Sequence, residues 1–280
     1  VKELALADVN VIEADYGSIA DFGQVKFDRD VIFTWNGTTS GVCVPDDVWI
    51  QESRTGLTFC DATSAAFAMA LPWQKLDVTT YSWQKALGGE AQHGVIILSP
   101  RAYSRLETWE PKWPIPKIFR MTKNNEPVEG FFDVDTINTP SMLCIEDILD
   151  SLLWAEAIGG TEELIRRNRE NFSVIEDWVA ITPWIEFLAT SPAIRSTTSV
   201  CLSIVDPWFL SLSSSEKQKF VSGMCNLLDE EGAAFDIKGY RDAPPGIRIW
   251  AGSTVEKDNI VALLPWLEWA FKRGKDVADQ

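Results

Sequence analysis

The chain has 280 residues, 46% hydrophobic and 24% charged, the composition of a globular protein long enough for two domains and too long for a stapled miniprotein. Its 41 acidic residues against 25 basic ones give a net charge of -16, a field that repels nucleic-acid backbones and anionic lipid, so neither is expected as a partner. One histidine, His93, cannot build a multi-histidine metal site, and no metal is expected. The five cysteines, Cys43, Cys60, Cys144, Cys201 and Cys225, never approach CxxC spacing, and their odd number argues against a complete disulfide framework. Apolar runs such as Val95–Leu98 are too short to span a bilayer, and Val1–Asp8 lacks the apolar core of a secretory signal. The expectation is a cytoplasmic protein with reduced, buried thiols.

In chain order, short β-rich runs alternate with turn signals, as expected for a parallel sheet covered by helices. The predicted strands are Val9–Glu13, Asp30–Trp35, Leu57–Asp61, Val78–Ser82 and Gly94–Ser99, with an alanine-rich crossover helix at Thr63–Ala70. His93 reads as a structural residue at the entrance of the last of these strands. Trp109–Lys117, rich in proline and tryptophan, predicts an extended excursion. A Ser141 cap then opens a helix with an apolar stripe at Ile145, Leu149, Leu152 and Leu153 that stops at Gly159-Gly160. A long bridging helix follows to about Thr182, then strand Ser199–Val205, helix Ser214–Glu230, strand Gly246–Trp250 and helix Val255–Arg273. The expected class is α/β, a mainly parallel sheet in a large domain (1–165) plus a smaller α+β C-terminal domain (166–280) that includes the bridging helix.

In open α/β sheets, ligands sit outside the carboxyl ends of strands, and two of the predicted strands run there into Asn36-Gly37-Thr38 and Asp61-Ala62-Thr63-Ser64. A third leads through Trp83-Gln84 to Lys85, just ahead of Gly88-Gly89. A desolvated lysine can lose its proton and form a Schiff base with an aldehyde cofactor; alternatively, Lys85 is a solvated residue entering a glycine turn. Asp61 closes the preceding strand, and a right-handed βαβ unit would bring it to the same sheet edge. An acid beside a pyridine nitrogen keeps that ring protonated and electron-withdrawing, which suits pyridoxal 5'-phosphate. Asp61 could equally cap a turn.

The ordered series Asn36-Gly37-Thr38, Cys60-Asp61-Ala62-Thr63-Ser64, Ser82-Trp83-Gln84-Lys85, Asn138-Thr139-Pro140 and Gly246-Ile247-Arg248 resembles the phosphoserine aminotransferases, fold-type I enzymes dependent on pyridoxal 5'-phosphate. The likeness runs the length of the chain and is nearest to a divergent branch with the Phe33–Val42 and Thr136–Leu143 sequences. It implies Lys85 as the covalent lysine and proton-transfer base, Asp61 on the pyridine nitrogen, Thr38 on the phenolic oxygen and Gln84 on the cofactor phosphate. It implies that Asn138 and Thr139 reach the phosphate of a neighbouring subunit in a homodimer; otherwise they belong to a helix cap. Arg248 would grip the α-carboxylate of small anionic substrates such as glutamate and phosphoserine, or else pair with an acid as a strand arginine. Arg241 would take the substrate phosphate, although Tyr240 stands where the family usually has histidine. Trp83, beside the lysine, would help exclude water. The resembled enzymes have further large-domain sequence ahead of the stretch matched by Val1, including a glycine-containing phosphate cradle and a ring-stacking aromatic residue. Relative to them the chain is expected to be incomplete at its N-terminal side. Another small-substrate aminotransferase, or a noncatalytic fragment, are the other functions open to it.

Overall fold

The structure is a computed structural model and describes residues 9–91, 93–110, 114–124, 126–133, 135–240 and 242–278. Three parallel strands, β1 (Val31–Thr34), β2 (Thr58–Asp61) and β3 (Val78–Ser82), and an antiparallel fourth, β4 (Gly94–Leu98), form a sheet in the order β1-β2-β3-β4. This is an α/β architecture with a mixed, mostly parallel sheet. Thr34, Asp61 and Thr80 lie in register, so the carboxyl ends of the three parallel strands open on one edge. Val31, Phe33, Trp35, Cys60 and Ala62 bury one sheet face against Phe27, Val44, Trp49 and Ile50. Within the described residues β1 and β4 are edge strands, and Ile32, Ile96 and Ile97 are exposed.

Helix α1 (Pro100–Thr108) follows β4, capped by the Ser99 hydroxyl, which accepts from the Ala102 N–H. A short hairpin of β5 (Thr122–Lys123) and β6 (Glu126–Pro127) precedes helices α2 (Met142–Ile158) and α3 (Gly160–Ile181). The chain then forms β7 (Ile185–Phe187), β8 (Ser199–Ile204), α4 (Pro207–Ser211), α5 (Ser214–Glu230), β9 (Gly246–Trp250) and α6 (Lys257–Ala278). Strands β7, β8 and β9 make a separate antiparallel sheet. Its strands alternate: Val200, Leu202, Ile204, Ile247 and Ile249 pack on Ile175, Met224, Leu228 and Leu267 of the helices. Residues two apart on a strand share a face, so Ser199, Cys201, Ser203, Arg248 and Trp250 project to the other side.

Three expectations are corrected. Val9–Glu13 forms no strand: Val9 and Val11 are exposed and no strand pairs with them. Thr63–Ala70 is a run of turns, because Phe67 adopts a φ of 64°, a left-handed conformation that interrupts a right-handed helix. The leucine stripe of α2 is largely exposed at Leu149, Leu152 and Leu153; the helix instead buries Cys144, Ile148 and Ala155, the latter two packing with Leu87 and Leu164. The Ser141 side chain makes no capping bond. Helix α1 and strand β7 are additions the sequence reading lacks.

Beneath the sheet, Asp77 is 1% exposed and joined by two arginines. Arg54 donates through Nε and Nη2, Arg101 through Nη1, and Thr58 and Ser99 add neutral bonds. Burial alone would raise the Asp77 carboxyl, but the bonds from Arg54, Thr58 and Ser99 and the Arg54 charge hold it below its ordinary value of 3.8. A depressed carboxyl contributes stability that is present above its unfolded value and lost as pH falls through the folded one. The urea midpoint should therefore drop as pH is lowered below 3.8. Asp77→Asn should cost about 3–5 kcal/mol at neutral pH, since it strands buried guanidinium charge, and should flatten that acid dependence.

Candidate active site

The site lies where the carboxyl ends of β1, β2 and β3 meet the polar face of β8 and β9. A set of buried hydrogen bonds fastens the two sheets and leaves Asn36 Oδ1 without a partner among the described residues. The Asn36 amide donates to Ser64 Oγ at 2.8 Å and to Thr198 Oγ1 at 3.0 Å. Ser64 Oγ returns a bond to the Asn36 carbonyl and Thr198 Oγ1 donates to the Ser64 carbonyl. Each residue comes from a different strand end, after β1, after β2 and before β8. Gly41, with a φ of 68°, lets the Thr38–Gly41 turn press onto β8: a Cβ there would stand 2.7 Å from that of Cys201. Cys201 Sγ in turn lies 3.8 Å from the Thr38 carbonyl, to which it donates.

Asp61 is exposed at the end of β2, with one carboxylate oxygen accepting from the Thr63 N–H at 2.9 Å. The turn-capping role expected of such an aspartate is thus present, and it engages only Oδ1. Past the end of β3, Trp83 and Gln84 each hold a buried polar atom, the donor Nε1 and the acceptor Oε1, without a partner among the described residues. The Trp83 ring stands edge-on to His93, which precedes β4 as a packing residue. Lys85 is half-buried, and its Nζ lies 5.3 Å from the centroid of the Trp250 ring. The loop that carries Lys85 is tied down at Ala86, whose carbonyl accepts from Ser253 Oγ at 2.9 Å. Helix α3 secures that anchor in turn: Asn171 donates to the carbonyls of Gly252 and Val255, and Asn168 to those of Thr197 and Ala251.

Arg248 is 7% exposed on β9, on the same strand face as Trp250. Its Nη2 donates to the Asp236 carboxylate at 3.1 Å, its guanidinium lies 4.9 Å from the Tyr240 ring centroid, and its Nε is buried without a protein partner. Both readings of this arginine meet here: it is paired with an acid, and it retains a free donor. Beside it, burial pushes the Cys201 thiol up to about 11, against the lowering effect of the Arg248 charge, so the thiol stays protonated.

The structure therefore gathers Thr38, Asp61, Gln84 and Lys85 at one sheet edge facing Arg248. Asn138 and Thr139 are exposed on the segment entering α2, and among the described residues no side-chain hydrogen bond ties them to that cluster. Arg241 lies outside the described residues. Sequence reasoning passed over Ser64, Thr198, Asp236 and Trp250; of these only Trp250 carried a usable signal, being two residues from Arg248 on a strand and so on its face. The residues present suit a phosphorylated aldehyde cofactor: an amine, an acid, a hydroxyl, and a buried indole N–H with no partner among the described residues.

No protein-family model matches the chain. It is 52% identical over 270 residues to the phosphoserine aminotransferase of Methanosarcina mazei, covering 96% of this chain and 70% of that protein. The phosphoserine aminotransferase structure from Bacillus circulans subsp. alkalophilus superposes with a TM-score of 0.73 at 18% identity, covering 92% of this chain and 65% of the other. A phosphoserine aminotransferase from Trichomonas vaginalis, solved with pyridoxal phosphate bound, gives a TM-score of 0.65 at 18% identity, covering 85% and 59%. The solved structures speak for the fold.

Thr198→Val should uncouple the two sheets locally. It leaves the Asn36 amide short of an acceptor and the Ser64 carbonyl without its donor, a cost of about 1–3 kcal/mol in a urea titration.

Proposed function

The chain belongs to the phosphoserine aminotransferase family, and from that membership we propose that it interconverts 3-phosphohydroxypyruvate plus L-glutamate with O-phospho-L-serine plus 2-oxoglutarate, a cytoplasmic step of serine biosynthesis. Its relatives' cofactor is pyridoxal 5'-phosphate, which supplies an aldehyde that condenses with amines and a protonated ring that withdraws electrons from the substrate's Cα.

Each residue has a separate task in this reading. Lys85 would hold the cofactor covalently and would serve as the base that takes the proton from the substrate's Cα. Asp61 holds the proton on the ring nitrogen, with Oδ2 left for that purpose by the turn that engages Oδ1. Thr38 donates to the phenolic oxygen. Gln84 would donate its amide N–H groups to the cofactor phosphate, joined by Asn138 and Thr139 from the second protomer of a homodimer. Arg248 binds the α-carboxylate through donors that Asp236 does not occupy, its planar fork suiting two oxygens. Arg241 receives the substrate phosphate, and the half-buried Trp83 limits water near the lysine.

The single observation that carries the reading is the register of β1, β2 and β3, which brings Asp61 and Lys85 to one sheet edge opposite a buried arginine. The exposed leucines of α2 support the homodimer, because Leu149, Leu152 and Leu153 are left uncovered by the described residues. Five free cysteines support the cytoplasmic setting. The two largest hydrophobic clusters, each confined to one side of the boundary, support a division into a large domain (1–165) and a smaller one (166–280), although a small cluster of Val42, Ala189 and Ile194 spans it.

Lys85→Ala should abolish the borohydride-reducible adduct with pyridoxal phosphate, read by intact mass; an adduct that persists at full yield refutes the assignment. Arg248→Gln should lower kcat/KM roughly ten- to hundredfold with glutamate and phosphoserine alike, the loss that follows removal of a charged hydrogen-bond partner. Comparing phosphoserine with serine and alanine as amino donors separates this activity from that of another small-substrate aminotransferase.

A further inference from the structure

Resting on the assignment of Lys85 as the covalent lysine, we infer that Trp250 is the positioning residue that holds the Lys85 amine whenever the amine is not bonded to the cofactor. The Lys85 Nζ sits over the indole face, 5.3 Å from its centroid, and among the described residues no carboxylate lies within salt-bridge distance of it.

A nucleophilic lysine needs a seat of this kind. A carboxylate would hold the amine as a tightly paired ammonium, whereas open solvent would leave a four-carbon stem free to wander. An aromatic face attracts the cation weakly and without a directed hydrogen bond, so the amine is confined yet easily released.

The position of the indole is built into the backbone. A Cβ on Gly252 would stand 2.5 to 2.8 Å from three atoms of the Trp250 ring, so the ring lies flat on a residue that has no side chain. The same segment fixes the lysine's end of the contact through the Ser253 hydroxyl, which donates to the Ala86 carbonyl. Trp250 is paired with Ser199 in the β8–β9 register and shares a strand face with Arg248. One strand therefore spaces the carboxylate-binding cation from the reactive amine.

The contact is read directly by NMR of the cofactor-free full chain with labelled lysine. The Lys85 Cε protons, assigned by their loss in Lys85→Arg, should be displaced upfield by the indole ring current, and should return to the range of solvated lysines in Trp250→Leu and Gly252→Ala. On mixing with pyridoxal phosphate, the adduct at Lys85 should form roughly two- to fivefold faster in Trp250→Leu, because the lost cation–π contact stabilises only the waiting ammonium, and Trp250→Phe should restore most of the slower rate. Undisplaced Lys85 protons in the unmutated chain, or a Trp250→Leu chain that reacts no faster than the unmutated one, overturns the inference and leaves the lysine's role intact. An unmutated chain that forms no adduct at Lys85 overturns both.

Discussion

The buried triad of Asn36, Ser64 and Thr198 is the constraint on which the site depends. These side chains are between 0% and 3% exposed, so each donor left without an acceptor would carry its full desolvation cost. The four bonds hold the two sheets in one relative placement. That placement brings Gly41 onto Cys201 and sets β9 opposite the carboxyl ends of β1, β2 and β3. From β9 the chain reaches Ser253, and through Ser253 the Lys85 loop. Each bond contributes modest net stability, about 0.5–1.5 kcal/mol, yet the penalty for any other arrangement is steep. The triad therefore acts through specificity of position.

The handling of positive charge divides the chain in a similar way. Arg54 and Arg101 are committed to Asp77, where their charge offsets a buried carboxylate. Arg167 and Arg195 pair with Glu256 and Glu176. Around the site aromatic rings also stand under both cations, Trp250 beneath Lys85 and Tyr240 beneath Arg248, which is paired with Asp236 as well. A ring confines a cation without cancelling it. In a chain of net charge -16, attraction of anionic substrates depends on such cations keeping their charge available locally.

Much of the fold was legible because the signals were local. The strand at Val78–Ser82, the helix at Ser214–Glu230 and the strand at Gly246–Trp250 fall where periodicity puts them, and α5 is fixed by a capping box of Ser213 and Glu216. The failures were nonlocal. Alanine content alone favoured a helix at Thr63–Ala70, whereas Ala62, Ala65 and Ala66 are buried in a tight turn whose path is set by Phe67. The leucines of α2 read as a core stripe because sequence cannot say which face of a helix finds a partner. At the site, Asp61 and Lys85 stood out by residue type and strand position, and Arg248 through the family resemblance. Thr198 and Ser64 did not, since a hydroxyl's value here lies in a partner far away in the chain. Arg248 also gained a partner, Asp236, that no spacing rule would select.

The two edge strands of the parallel sheet shape how this polypeptide behaves in concentrated solution. Val-Ile-Phe-Thr in β1 and Gly-Val-Ile-Ile-Leu in β4 contain no charge and no proline, the usual guards of a sheet margin. Among the described residues each has one strand neighbour, and isoleucines on it are exposed. Such margins act as templates for intermolecular β-pairing. During refolding, dilution and any polypeptide that adds a strand at either margin favour the native species, while crowding of identical chains favours ribbons joined edge to edge.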